Sequence, residues 1–269
     1  MNVQKTNNTK DKVRQLQIKL YLSAKKSSSR RYHALYDKTY REDVLKRAWR
    51  VVKSNKGCAG IDKETIEEIE EIGVDTVLNG IAEELKTGTY RPQPVQRVEI
   101  PKDNGKTRPL GIPIVRDRIV QAAVKLMIEP VFEADFKDCS YGFRPKRNAH
   151  QALETIRKAC NNKGIWVLDA DITGYFDNIN HDKLMMLIEK RISDRRILKL
   201  IRNWLKAGIM ENGKYLNSEL GSPQGGVILS GGNFCKCWYC SLLSLVTWVH
   251  RYKKYLLSLI QSQFAINHL

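Results

Sequence analysis

Residues 115–136 are strongly helical in pattern, with Ile119, Ala123, Leu126, Met127 and Val131 forming a face that must be buried. What precedes this helix is not helical. Val95, Arg97, Glu99 and Pro101 bracket a short β-like alternation, and Lys102-Asp103-Asn104-Gly105 reads as a hairpin turn. Residues 107–113 are then the returning strand. Helical spacing recurs over 11–22, where Val13, Leu16 and Leu20 alternate with Lys12, Arg14 and Lys19. It recurs again over 42–52, from the loop at 55–60 through Ile81 and Leu85, and over 149–160, 183–191 and 196–207. Residues 25–31 read as a Ser/Lys/Arg linker, and 165–168 form a short apolar β-rich run. Helices and strands mix without regular βαβ alternation and without an internal repeat, which favours an α+β fold.

Charge narrows the function classes. The chain has 269 residues, of which 46 are Lys or Arg and 29 Asp or Glu, a formal +17. Residues 1–60 hold 16 of those cations against four acids, Asp11, Asp37, Glu42 and Asp43. Such a balance points to a polyanionic partner, nucleic acid first, with a merely basic surface or an anionic membrane as the other readings. A hydrophobic content of 42% fits a globular chain and argues against wholesale disorder. No stretch is apolar enough for a membrane span, and the apolar run 241–249 is too short. The polar opening shows no apolar signal core, so the six cysteines are expected to stay reduced and the protein to be cytoplasmic.

Three clusters could carry chemistry. In 100–110, a hairpin would bring Lys102 and Arg108 onto paired strands, where a point charge and a bidentate fork suit a polyphosphate; a solvated basic turn is the plainer reading. In 166–177, an apolar run ends in Asp169-Ala170-Asp171 before Tyr175-Phe176-Asp177. Strand alternation would put Asp169 and Asp171 on one face, near one divalent cation, or else leave them capping the next turn. In 220–227, three glycines and a proline surround Gln224, giving a close-approach loop for a flat base, or an ordinary turn.

Together these clusters resemble the group II intron-encoded reverse transcriptases and maturases. The resemblance runs from about Arg41 to Ile228 in five ordered blocks. Residues 55–62 (Asn-Lys-Gly-Cys-Ala-Gly-Ile-Asp) look like the family's N-terminal block. Arg108-Pro109-Leu110-Gly111-Ile112-Pro113 with Asp117-Arg118-Ile119-Val120-Gln121 is similar to its fingers block. Ser140-Tyr141-Gly142-Phe143-Arg144-Pro145 with Asn148-Ala149-His150 is close to a hallmark. Residues 171–179 look like the first catalytic block, and 221–228 like the nucleotide-pocket loop.

The resemblance implies a right-hand polymerase: a basic helical extension over 1–40, fingers and the start of the palm over 41–160, and a partial palm over 161–228. It implies RNA-directed DNA synthesis with Mg²⁺, and assistance to splicing of an intron RNA. Asp171 would be the catalytic, metal-binding carboxylate and Ile172 a second ligand through its carbonyl. Lys102 and Arg108 would hold the triphosphate, Phe176 would reject a 2′-hydroxyl, and Gln224 would line the nucleotide pocket. Asp169 would be a neighbour. Implied partners are group II intron RNA and an RNA/DNA template–primer, with a homodimer a further possible assembly.

In 141–147 aromatics alternate with cations. Arg144, Lys146 and Arg147 would grip single-stranded template beside stacking rings; alternatively Tyr141 and Phe143 pack inward and Arg144 pairs with an acid. His150 is given no catalytic role.

One departure from the family pattern matters. The Tyr-Ala-Asp-Asp turn expected after the Gln224 loop is absent: Asp194 is the last Asp and Glu219 the last acid of any kind. Two-metal chemistry normally uses at least one more carboxylate. After Ile228 the composition changes, with Cys235, Cys237 and Cys240 close together, so residues 229–269 read as an atypical tail, out of frame, on a truncated chain. Those thiolates are half a zinc site at best, with His250 as a fourth ligand of no regular spacing. The expectation is a chain inactive as a polymerase on its own. Rivals are a non-catalytic RNA-binding module and a decayed fragment.

Overall fold

The expected helices form where apolar residues recur at helical spacing, in a computed structural model that describes residues 8–101, 105, 107–161, 176, 178–211, 213–218 and 220–221. In chain order they are α1 (Asn8–Lys26), α2 (Tyr36–Thr39), α3 (Glu42–Ser54), α4 (Ile66–Ile72) and α5 (Val74–Thr87). Strands β1 (Val95–Pro101) and β2 (Thr107–Ile112) follow, then α6 (Val115–Glu133) and α7 (Ala149–Asn161). The described part closes with α8 (His181–Glu189), α9 (Arg195–Lys206), β3 (Ile209–Glu211) and β4 (Lys214–Leu216). The apolar run at 165–168 and the tail at 229–269 lie outside the described residues.

The chain forms two compact units. Met1–Asp135 and Thr173–Phe234 make the first, Phe136–Ile172 and Cys235–Leu269 the second. In the first, α6 is the core. Val115, Ile119, Val120, Ala123, Val124, Met127, Ile128 and Val131 are fully buried, so this helix is enclosed on nearly every side, and α1 and α3 pack on it. Leu126, expected within that buried face, is only half-buried.

Pro130 lies inside α6 and has no N–H to give the carbonyl of Leu126, four residues back. Gln17 Nε2 of α1 donates to that carbonyl at 3.1 Å. Lys25 Nζ reaches the carbonyl of Ala134 at 3.2 Å, so α1 runs alongside α6 in the same chain direction, hydrogen-bonded to it at both points.

The segment read as a Ser/Lys/Arg linker is gripped. Lys25 and Lys26 close α1, and the turn after them wraps the buried guanidinium of Arg191. Arg191 donates to the carbonyls of Ala24 (3.1 Å), Ser27 (3.0 Å), Ser28 and Arg30 (3.1 Å), and its Nε lies 2.9 Å from Asp135 Oδ2. Asp194 then caps two helices at once. Its Oδ1 accepts from Arg196 N (3.1 Å) and Ile197 N (3.4 Å) of α9, and its Oδ2 from Leu35 N and Tyr36 N (both 2.8 Å) at α2.

The sheet has the order β2-β1-β3-β4. β1 and β2 are antiparallel, from Gln96↔Ile112 to Pro101↔Thr107, as the alternation predicts. β3 joins β1 in parallel at Val95↔Ile209, and β4 returns antiparallel to β3. Gly208 makes the entry to β3 possible: its φ is +82°, and a Cβ there would strike the Tyr215 ring. The helical pattern through Ile81 and Leu85 is two helices, parted at Gly73 with φ +104°.

Candidate active site and nucleic-acid surface

The N-terminal block and the fingers block are packed together. A Cβ on Gly60 would come within 2.7 Å of the Ile114 backbone, so only glycine lets the 55–62 loop lie there. Arg118, buried in the first turn of α6, donates to the carbonyl of Cys58. Burial holds its guanidinium pKa down, with the nearby Cys58 and Asp62 opposing.

Asp117, one residue earlier, anchors the root of the sheet. Tyr90 Oη donates to Asp117 Oδ1 at 2.6 Å, Gln93 N to Oδ2 at 2.9 Å, and Trp204 Nε1 to Tyr90 Oη at 3.1 Å. This chain joins α6, the segment before β1, and α9. Burial pushes the Asp117 carboxyl up to about 6, although both hydrogen bonds pull it down; burial likewise raises the Tyr90 phenol well above its usual value. Val95, just beyond, donates to the carbonyl of Gly208 at 3.1 Å.

Arg108 stands on β2 opposite Ile100 of β1, so its backbone is on the ribbon the alternation predicts. Lys102 lies outside the described residues, as do Asp171, Ile172 and Gln224. Phe176 is half-buried in a turn. Ile179 and the start of α8 follow, and here the two blocks flanking the implied pocket meet. Gly221 N donates to the carbonyl of Ile179 at 2.9 Å, and Asn180 bridges Leu220 in antiparallel sense. The buried ring of His181 places Nε2 2.6 Å from the carbonyl of Gly221. The side chain of Asn180 caps α8 by accepting from Lys183 N at 2.9 Å. The first residue of the Gly221–Ile228 loop is thereby tied to the end of the 171–179 block across 40 residues. Among the described residues no group of three or more His, Cys, Asp or Glu side chains could hold a metal ion.

In the second unit, Arg144 is buried. Its Nη1 donates to the carbonyls of Lys137 (2.7 Å) and Ser140 (2.6 Å), and its guanidinium lies 4.6 Å from the Phe136 ring centroid. These contacts brace the loop from within, on carbonyls and a ring. Arg147 is half-buried, 3.2 Å from Asp138 and 5.5 Å from the centre of the Tyr141 ring. Lys146 is exposed. Phe143, expected either to stack or to pack inward, is 65% exposed.

Sequence reasoning missed His181 and Gln17. An Asn-His-Asp step at a helix start signals a cap, but nothing local says what the imidazole will meet. For Gln17 the signal was Pro130, which announces an open carbonyl without naming its partner.

A family model described as reverse transcriptase (RNA-dependent DNA polymerase) matches residues 100–237. Protein YkfC of Escherichia coli (strain K12) is 38% identical over 80% of this chain and 58% of its own length. The group II intron-encoded protein LtrA of Lactococcus lactis subsp. cremoris is 41% identical over 72% of this chain and 32% of its own. The chain therefore spans between about a third and just over half of these relatives. Among solved structures, a chain of a partial Cas6-RT-Cas1–Cas2 complex superposes with a TM-score of 0.51 at 21% identity, covering 78% of this chain and 35% of that one, a likeness of fold. No described helix is long and apolar enough to cross a membrane. With a reverse transcriptase model matching half its length and a group II intron-encoded protein among its relatives, this chain belongs to the reverse transcriptase (RNA-dependent DNA polymerase) family.

Proposed function

We propose that the chain acts in RNA-directed DNA synthesis of the group II intron type, as fingers (41–160) and partial palm (161–228) that bind a template–primer and intron RNA. The observation that supports this most is the tether between Gly221 and Ile179–His181, which joins the segment after Asp171 to the loop that carries Gln224. In this reading Lys102 and Arg108 hold the triphosphate, Phe176 excludes a 2′-hydroxyl, and Gln224 lines the nucleotide pocket. Lys146 and Arg147 face nucleic acid, with Arg144 bracing them from inside.

The Asp171 carboxylate and the Ile172 carbonyl are hard oxygen donors, which suits Mg²⁺. Bound Mg²⁺ supplies charge stabilisation at the transferring phosphate. Asp171 would hold the ion through its carboxylate and Ile172 through its carbonyl.

Residues 220–269 hold no Asp or Glu, so this stretch supplies no second carboxylate for the chemistry. We propose that residues 1–269 bind RNA but do not sustain synthesis by themselves. A binding module without catalysis is the second reading, favoured by that same gap.

Primer extension on poly(rA)/oligo(dT) with Mg²⁺ and dTTP tests the first reading, with Asp171→Asn as control. We expect no incorporation above the Asp171→Asn background. RNA binding should weaken steeply with salt, as release of counterions from several phosphates requires. Incorporation abolished by Asp171→Asn would show that the second carboxylate comes from elsewhere than a Tyr-Ala-Asp-Asp turn and would overturn the inactive reading, and a flat salt response would remove the RNA-binding reading.

A further inference from the structure

Several cations on the other helices have an acid beside them. Lys46 of α3 pairs with Glu42 and Asp75, Lys53 with Glu70, and Lys86 of α5 with Glu83. On α7, Glu154 serves both Arg157 and Lys158. α9 differs: it carries Arg195, Arg196, Lys199, Arg202 and Lys206 and no acid. Arg202 reaches Asp182 of α8 at 2.8 Å, and the Arg196 guanidinium lies 4.5 Å from the Tyr36 ring centroid. Arg195, Lys199 and Lys206 are exposed and have no ion pair among the described residues.

Arg195, Lys199, Arg202 and Lys206 follow one another at steps of four, three and four residues. They therefore lie within about 60° of helix arc, in a row about 17 Å long. The opposite face, with Ile197, Leu200, Ile201, Trp204 and Leu205, is buried. Trp204 Nε1 donates to Tyr90 Oη and Asp194 caps the first turn, so the row sits on a fixed helix. The arrangement costs that helix stability. Like charges three and four residues apart repel, and Arg195 and Arg196 oppose the positive end of the helix dipole, where Asp194 is the only acid. No large apolar side chain of α9 is exposed. A row of unpaired cations with neither an apolar anchor nor a stacking ring suits a phosphate backbone, and offers little to a protein partner or an unstacked base.

We propose that the Arg195–Lys199–Arg202–Lys206 face of α9 docks on the sugar–phosphate backbone of an RNA duplex. This rests on the RNA-binding reading and gives it a surface outside the segments 100–110, 141–147, 166–177 and 220–227. A cation on each turn of the helix, about 4.5–6 Å from the next along the axis, meets successive phosphates of one strand. A duplex keeps its bases inside and its phosphates outside, so the grip is by charge and shape and takes no account of base sequence.

Fluorescence anisotropy of the full chain with a labelled blunt RNA duplex, with oligo(rU) and with poly(Glu), each over a range of salt, tests this. Arg195→Gln, Lys199→Gln and Lys206→Gln together should lower the slope of log affinity against log salt for the duplex by about 2–3. The same charge removed at cations already paired, by Lys53→Gln, Lys86→Gln and Lys158→Gln together, should lower it by less than about 1. Lys199→Arg with Lys206→Arg should keep the wild-type slope. The α9 triple variant loses repulsion and an unfavourable dipole contact, so it should melt no lower than wild type, which separates the contact from folding. Its loss of slope on oligo(rU) should be smaller than on the duplex. Equal losses in the two triple variants would reduce the effect to net charge and overturn the proposal, and a larger loss on oligo(rU) would overturn the duplex assignment. Loss of poly(Glu) binding with the duplex slope intact would overturn it as well, and give the face to an acidic protein. A folded wild-type chain that binds neither RNA overturns this proposal and the RNA-binding reading together.

Discussion

The side-chain amide of Gln17 donates to the carbonyl of Leu126, the acceptor that Pro130 cannot serve from within its own helix. The two residues are 109 positions apart, so α1 is docked on α6 partly through a defect in α6. Gln17→Ala should therefore cost about 1–2 kcal/mol, the usual effect of leaving a partly buried carbonyl without its donor. Pro130→Ala returns an N–H to that carbonyl, and in that background Gln17→Ala should cost much less. Urea denaturation of the four proteins gives the coupling; additive effects would separate Gln17 from Pro130.

Asp117 sets a pH dependence of definite sign. Its native carboxyl is held up to about 6 against an ordinary 3.8, chiefly by burial. Between about pH 4 and 6 the native state keeps a proton that the unfolded chain has released. The contribution is fully present below about 4 and lost as pH rises through 6, by about 3 kcal/mol in all. Asp117→Asn lacks it, so the stability of wild type relative to Asp117→Asn should fall between pH 4 and 7. Tyr90→Phe removes a hydrogen bond that lowers the Asp117 value, so its midpoint should move above 6. A wild-type minus Asp117→Asn difference that is flat across pH 4–7 would mean the carboxylate is solvated.

Periodicity reads the local elements because helix and strand spacing is written in neighbouring residues. The burial of Ile119, Ala123, Met127 and Val131, the β1–β2 ribbon and α9 were all legible that way. Leu126 was not: it is only half-buried. The linker at 25–31 looked solvated because its partner, Arg191, lies about 160 residues on and had no local signature. Arg144 shows the same limit: a cation among aromatics reads as a nucleic-acid contact, while the carbonyls of Lys137 and Ser140 that occupy it belong to backbone geometry. The family's blocks were legible from their residue types, but the tether from His181 to Gly221 is tertiary and nothing nearby in sequence announces it.

Asp194 bonds the N-termini of two helices that the sequence separates by about 160 residues. Four backbone N–H groups converge on one buried carboxylate. Asp194→Ala leaves them all without an acceptor and should cost about 3 kcal/mol, more than a single surface cap. Asp194→Asn keeps one acceptor oxygen and should recover part of this. Because α2 and α9 share the cap, amide exchange at Leu35 and Tyr36 should accelerate together with that at Ile197. Acceleration confined to α9 would show that α2 stands without it.

His181 fixes where the Gly221 loop begins. Its ring is buried, and Nε2 lies 2.6 Å from the Gly221 carbonyl while Gly221 N is held by Ile179. A buried imidazole N–H donating to a carbonyl is worth about 1 kcal/mol, and leaving that carbonyl bare costs somewhat more. His181→Ala should lower stability by about 1–2 kcal/mol and, more tellingly, should strip protection from the Gly221 amide in hydrogen exchange. His181→Gln, which can still donate to the carbonyl, should restore a large part of that protection. Amide exchange at Lys183, capped separately by Asn180, is the internal control, and should change little if α8 itself remains formed. Loss of protection at both sites in His181→Ala would mean that the ring supports α8 as a whole. Loss at Gly221 alone would show that the imidazole is the latch between the end of the Asp171 block and the loop carrying Gln224.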